Sequence, residues 1–299
     1  MNNKIYLMAA LIAFASVGAL LIQPTVASAQ SSMIDNILNG ALPSSNSNDN
    51  NQPSQAGDSS STSSSDSNPA STTAPISTSL SCGQVIKQSV KLTANLDCKT
   101  DGIIVGADGI TIDLNGFTLS GPGEKSSKVG IMFADNDEVT VQGPGTIKSF
   151  QAGALFSGGE DNKIYRVTFT ENEIAVFETG SKNVVIEDNL MFGNSIGVAA
   201  HSSSGSKLTT NLFKSNDLAG VTLVNSAANE LSMNTIQGSV NGIFLDGQST
   251  ANNVNSNNVL QNRGVDLNNG NGLPTNINNN VFSDNNCNTS VPDGLCLGR

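Results

Sequence analysis

Tryptophan is absent, and 2 tyrosines and 11 phenylalanines leave the aromatic content at 4%. An aromatic platform for stacking sugars is therefore thin. Cations are scarce too: 14 Lys and Arg against 25 Asp and Glu give a formal net charge of −11. A field of that sign repels polyanions, which excludes nucleic acid as a partner and leaves few cations for gripping a polyuronate. Histidine occurs once, as His201, and cysteine 4 times. That supply does not make the His, Cys or Met cluster that a soft metal requires. Long apolar runs are confined to one, at residues 5–22.

This run follows Lys4 and precedes Pro24 and Ala27-Ser28-Ala29. The order is that of a secretory signal, residues 1–29, with cleavage expected after Ala29. Retention as a membrane anchor is the alternative, because the run approaches the minimum length of a bilayer span. Residues 30–78 are dominated by Ser, Asn, Asp, Gln and Pro, with few apolar side chains beyond 33–42. Such a segment buries too little surface to offset its ordering entropy and is expected to be a disordered linker. The remainder, residues 79–299, carries Cys82, Cys98, Cys287 and Cys296 as two close pairs at its ends. After export to an oxidising compartment these read as two local disulfides, Cys82 with Cys98 and Cys287 with Cys296. The chain is thus expected to be secreted or held at the cell surface.

What the remainder has in abundance is a repeat. Ile164, Ile186, Leu208, Leu231, Val254 and Ile277 recur every 22 or 23 residues. Three places later stand Asn189, Asn211, Asn234, Asn257 and Asn280, with Val167 in the first register. Eight places after the anchor come Asn172, Asn194, Asn216, Ser239, Asn262 and Asn285. Short strands such as Gly197-Val198, Gly220-Val221 and Gly242-Ile243 follow. A fixed period of this size signals a solenoid. Its runs alternate in twos and are crowded with Asn and Gly, which excludes a helical repeat. The reading is an all-β parallel β-helix in which successive coils stack about 4.8 Å apart and the Asn side chains chain their amides from coil to coil. The turn asparagines are expected to take up left-handed backbone.

The segment from Cys82 to Cys98, the run DGITIDLNGFTLSGPG at residues 108–123, the N-x-x-G-[IV] coils and the ending Asn286-Cys287-Asn288-Thr289-Ser290 resemble the secreted right-handed parallel β-helix proteins. That superfamily includes pectate lyases, polygalacturonases and NosD-type periplasmic proteins, and the resemblance covers residues 79–299. It implies the right-handed fold. It does not choose an activity, because the superfamily spans lyases, hydrolases, epimerases and adhesins. The Asp cluster of the hydrolases and the Ca²⁺-plus-cation set of the lyases have no match in this sequence.

Three constellations remain as candidates. Arg166 and Asp188 share a register on adjacent coils, beside Tyr165 and Glu187, so an ion pair is expected there and any lyase-like chemistry would be placed there. His201 has Asp246 in its register two coils on and Glu178 one coil before, the elements of an acid/base pair. Asp108, Asp135, Asp137 and Asp161, with Glu138 and Glu160, form an acidic group of the ligand type Ca²⁺ accepts, although no complete Ca²⁺ loop is present. Against each stands the plainer reading of exposed turns and surface charge. Phe177, Ala199, Thr222, Phe244 and Asp266 are expected to stack along one outer row, and Asn288 heads a glycosylation sequon. The sequence points to an exported, non-catalytic β-helix protein whose partner is a polysaccharide or cell-envelope component. The alternative is a carbohydrate-active enzyme, a polysaccharide lyase or glycoside hydrolase.

Overall fold

The computed structural model describes residues 76–77, 79–273 and 279–298. The expected signal, nearly all of the linker and Ile277 lie outside the described residues. Every coil winds through three short strands, and equivalent strands of neighbouring coils pair in parallel. One coil shows the pattern: Lys163–Tyr165 in the first sheet, Thr168–Thr170 in the second and Ile174–Thr179 in the third. Among the described residues the three sheets hold 10, 9 and 10 strands.

Alternation in each strand sends one set of side chains inward, and parallel pairing stacks them. Val141, Ile164, Ile186, Leu208, Leu231 and Val254 form the inner row of the first sheet. Ile147, Phe169, Met191, Phe213, Ile236 and Val259 form that of the second. Together with Ile131, Val176, Val198, Val221 and Ile243 of the third they make one continuous core. A glycine column, Gly130, Gly153, Gly197, Gly220 and Gly242, runs near the start of the third-sheet strands. A Cβ on Gly197 would lie 2.5 Å from the Gly220 carbonyl oxygen and from the Phe213 ring, so no larger residue fits without displacement.

The corners explain the abundance of asparagine. The Asn189 side chain donates to the Ile164 carbonyl and to Asn211 Oδ1, and Asn211, Asn234 and Asn257 repeat the arrangement. The backbone N–H of each asparagine also donates to the side-chain oxygen of the next. Buried backbone groups that a tight corner would orphan are thereby satisfied. A second ladder runs through Asn229, Asn252 and Asn280, and a third through Asn172, Asn194 and Asn216.

Three expectations need correcting. Val254 pairs with Phe282, and Asn257 donates to Asn285 across 28 residues, so the last coil is longer than the coils of 22 or 23 residues that run from Val141 to Val254 before it. Asn280 consequently belongs to the second ladder and Asn285 closes the first. In the third sheet Phe244 pairs with Asn268, and not with Asp266. Finally, from Arg166 onward the left-handed residue at the corner between the first and second sheets is the one before the ladder position: Arg166 before Val167, and Asp188, Thr210, Met233, Ser256 and Asp284 before an asparagine, all with φ between 53° and 57°. Asn115, Asn183 and Asn225 are themselves left-handed at other positions. The asparagine must turn its amide inward to bond, so its neighbour takes the left-handed turn and points outward.

Both disulfides form, Cys82–Cys98 and Cys287–Cys296. The first links the opening coils. The second holds the closing segment, with Leu295 and Cys296 buried against the end of the core.

Candidate functional site

The outer face of the first sheet carries two rows rich in polar side chains. Pairing lines up Lys91, Asp113, Gln142, Tyr165, Glu187, Thr209 and Ser232 in one outward row. Beside it runs a second row with Thr140, Lys163, Val185, Lys207 and Glu230. Tyr165 sits at the centre. Its hydroxyl donates to Gln142 Oε1 at 2.7 Å, and the Lys163 ammonium lies 5.0 Å from its ring centroid. Lys163 also pairs with Glu187. At the start of the row Lys91 and Asp113 form an ion pair at 3.2 Å.

Arg166 and Asp188 flank this face at the corner where the first sheet turns into the second. They share a register, as expected, but are not paired with each other. The Arg166 guanidinium lies 5.8 Å from the Tyr165 ring, and Asp188 Oδ1 accepts from the Thr210 hydroxyl at 2.6 Å. A corner residue in left-handed geometry projects outward, which directs the charges to solvent and not toward each other.

His201 lies on the outer face of the third sheet, in register with Thr179 and Val224. Glu178 is not its partner. It pairs with Ala200 in the adjacent inward row, so the strand places the two groups on opposite faces. Asp246 raises the proton affinity of His201, but burial acts more strongly and lowers its pKa below the ordinary histidine value. Asp246 Oδ1 is itself bonded by the backbone N–H groups of Asn225, Gln248 and Ser249 and by the Ser249 hydroxyl.

The acidic group is used in a similar way. Asp108 Oδ1 accepts from the Asp137 backbone N–H, and Asp137 Oδ1 accepts from that of Glu160. Asp135, Glu138 and Asp161 occupy left-handed corners. Among the described residues no three His, Cys, Asp or Glu side chains are placed to hold a metal ion. Asn288 is exposed.

One feature went unmarked in the sequence, and one was given the wrong surroundings. On the second sheet Leu190, Phe192, Gly193, Leu212, Lys214 and Ser215 line a shallow depression of about 410 Å³. Strict alternation with the inward Met191 and Phe213 would have placed Phe192 and Leu212 outside. Glu178, set beside His201 in the sequence, is instead a carboxyl fully withdrawn from solvent inside the solenoid, next to Phe156 and Ala200. Alternation with Val176 marks it as inward.

The family described as a right handed beta helix region matches residues 101–259. The chain belongs to this family. No curated protein matches its sequence. Among solved structures, it is similar to the Dettilon tailspike protein at 16% identity and a TM-score of 0.46, over 62% of this chain and 44% of that one. It is also similar to DFA-IIIase from Arthrobacter chlorophenolicus A6 without its lid, at 13% identity and a TM-score of 0.50, over 68% of this chain and 58% of that one. Bacteriophage CBA120 tailspike protein 2 matches at 12% identity and a TM-score of 0.37, over 69% of this chain and 38% of that one. The β-helix protein therefore spans well under two thirds of these structures, and the likeness is one of fold.

Proposed function

We propose that this β-helix protein is exported and binds a polysaccharide along the outer face of the first sheet without cleaving it. The observation that carries the reading is the fixed tyrosine: Tyr165 is held by Gln142 and Lys163 in the middle of a straight row of hydrogen-bonding side chains. A ring of this kind offers a sugar an apolar face, and the threonine, glutamine and lysine rows beside it offer hydroxyl partners at regular strand spacing. An extended ligand suits an extended, rigid surface. Binding in preference to cleavage is supported by the engagement of the nearby carboxylates, Glu187 by Lys163 and Asp188 by Thr210. The two disulfides support an extracytoplasmic setting.

The test is affinity electrophoresis of the purified protein through a panel of neutral and acidic polysaccharides, with reducing ends and ultraviolet-absorbing products followed in parallel. Retardation by at least one glycan, lost about tenfold or more in Tyr165→Ala with an unchanged circular dichroism spectrum, is expected. Release of products that disappears in Asp188→Ala would overturn the reading in favour of a lyase or hydrolase.

A further inference from the structure

The second sheet has an apolar strip on its outer side. Met191 and Phe213 point into the core, so alternation turns Leu190, Phe192 and Leu212 outward. Phe192 and Leu212 are 39% and 38% exposed, and Met233, at the corner of the next coil, is 59% exposed. Three of the seven large apolar side chains that are open to solvent among the described residues thus fall on three successive coils. Beside Phe192 the corner position is Gly193, whose missing side chain leaves a notch between Glu171 and Ser215 of the adjoining coils. The depression there has a volume of about 410 Å³, within the roughly 300–1,000 Å³ typical of small-molecule sites. A cation stands at one end of it. Lys214 lies opposite Phe192 on the adjoining strand and makes no ion pair among the described residues. Glu171, on the other side of Gly193, is drawn toward Lys148 and the Ser149 hydroxyl.

We propose that this strip binds a single-chain amphiphilic carboxylate, a fatty acid anion, with the carboxylate at Lys214 and the chain laid across Leu190 and Leu212 toward Met233. The shape supports a chain in preference to a ring. From Phe192 to Met233 the strip runs two coil steps along the axis, about 10 Å, while remaining one or two side chains wide. Its lining supports a lipid in preference to a sugar, because only Lys214 and Ser215 offer polar side chains and a sugar ring needs several hydroxyl partners. The charge decides the head group: an ammonium without a carboxylate partner, in a chain of net charge −11, complements an anion.

The same charge argues against a second copy of the chain as the occupant, since two copies at −11 repel. The strip is also too small for that role, with a handful of side chains against the roughly 20–30 residues a side of a stable interface. It stands apart from the glycan reading, which concerns the first sheet.

The test is isothermal titration calorimetry of the full chain with dodecanoate below its micellar concentration. Saturable binding at one site is expected. Phe192→Ser and Lys214→Glu should each weaken it about tenfold or more, while Lys182→Glu, at an exposed corner between the third and first sheets, should change it by less than about twofold. Dodecyltrimethylammonium and dodecyl maltoside share the chain but lack the anion, and should bind the native protein about tenfold more weakly or worse. That comparison of probes needs no variant and decides the matter even if a substituted chain misfolds. No saturable heat with dodecanoate, equal affinity for all three probes, or an affinity that a folded Lys214→Glu chain retains would each overturn the assignment. A native chain that sediments as a dimer and becomes monomeric in Phe192→Ser would overturn it in favour of self-association.

Discussion

Replacing Glu178 by glutamine should change how stability depends on pH. The carboxyl lies in the inward row between Phe156 and Ala200, where its Oε2 accepts from the Ser206 hydroxyl at 2.7 Å and the Ser181 hydroxyl at 3.2 Å. Oε1 has no hydrogen-bond partner. Burial disfavours the charged form and pushes the pKa from 4.5 up to about 7, with the two serine hydrogen bonds opposing it. The folded chain therefore holds this proton more tightly than the unfolded one. Below the unfolded value both states are protonated and folding loses nothing. As pH rises the unfolded state ionises first, and stability falls until the folded group ionises as well. From 4.5 to about 7 the accumulated loss is about 3 kcal/mol. Glutamine fills the same space without ionising, and its oxygen can accept from both serines. Urea unfolding of the native chain and of Glu178→Gln should give a stability difference that moves by about 3 kcal/mol in favour of glutamine between about pH 4 and pH 8. Any constant offset from the buried amide cancels in that comparison, as do the shared titrations of Glu173 and His201. A difference that stays flat over the same range would refute the assignment of a proton to this buried carboxyl.

Other perturbations address the architecture. Asn234→Ala removes partners from Leu208, Asn211 and Asn257 at once, and should cost about 3 kcal/mol or more in denaturant unfolding, against under about 0.5 kcal/mol for exposed Asn253→Ala. Gly220→Val places side-chain carbons where a Cβ alone already meets Ile236 Cγ2 at 2.4 Å, so a loss of about 1–3 kcal/mol is expected, read as a lowered Tm. Deleting residues 287–299 removes the buried Leu295 and Cys296 and bares the ends of the last strands, so higher-order species should appear in gel filtration. A truncated chain that runs as an unchanged monomer would show that the segment is not a cap.

The sequence by itself determined the coil. Its period, the inward rows around Ile186 and Phe213, the asparagine ladders and the two disulfides are all legible, because in a solenoid each coil repeats the same local demands and its contacts lie at a constant separation. Counting failed where the period changed. The longer last coil moved Asn280 into a different ladder and replaced Ile277 by Phe282, since a constant offset has no way to register an insertion. The candidate site was legible only as a neighbourhood. Tyr165, Arg166, Glu187 and Asp188 do lie together, but the tertiary structure decided that Lys163 takes Glu187, Thr210 takes Asp188 and Arg166 turns to the tyrosine ring. It also showed that Glu178, which alternation with Val176 already turns inward, does not share a face with His201. In a strand a shift of one residue reverses the face, and only the paired coils fix which residue that is.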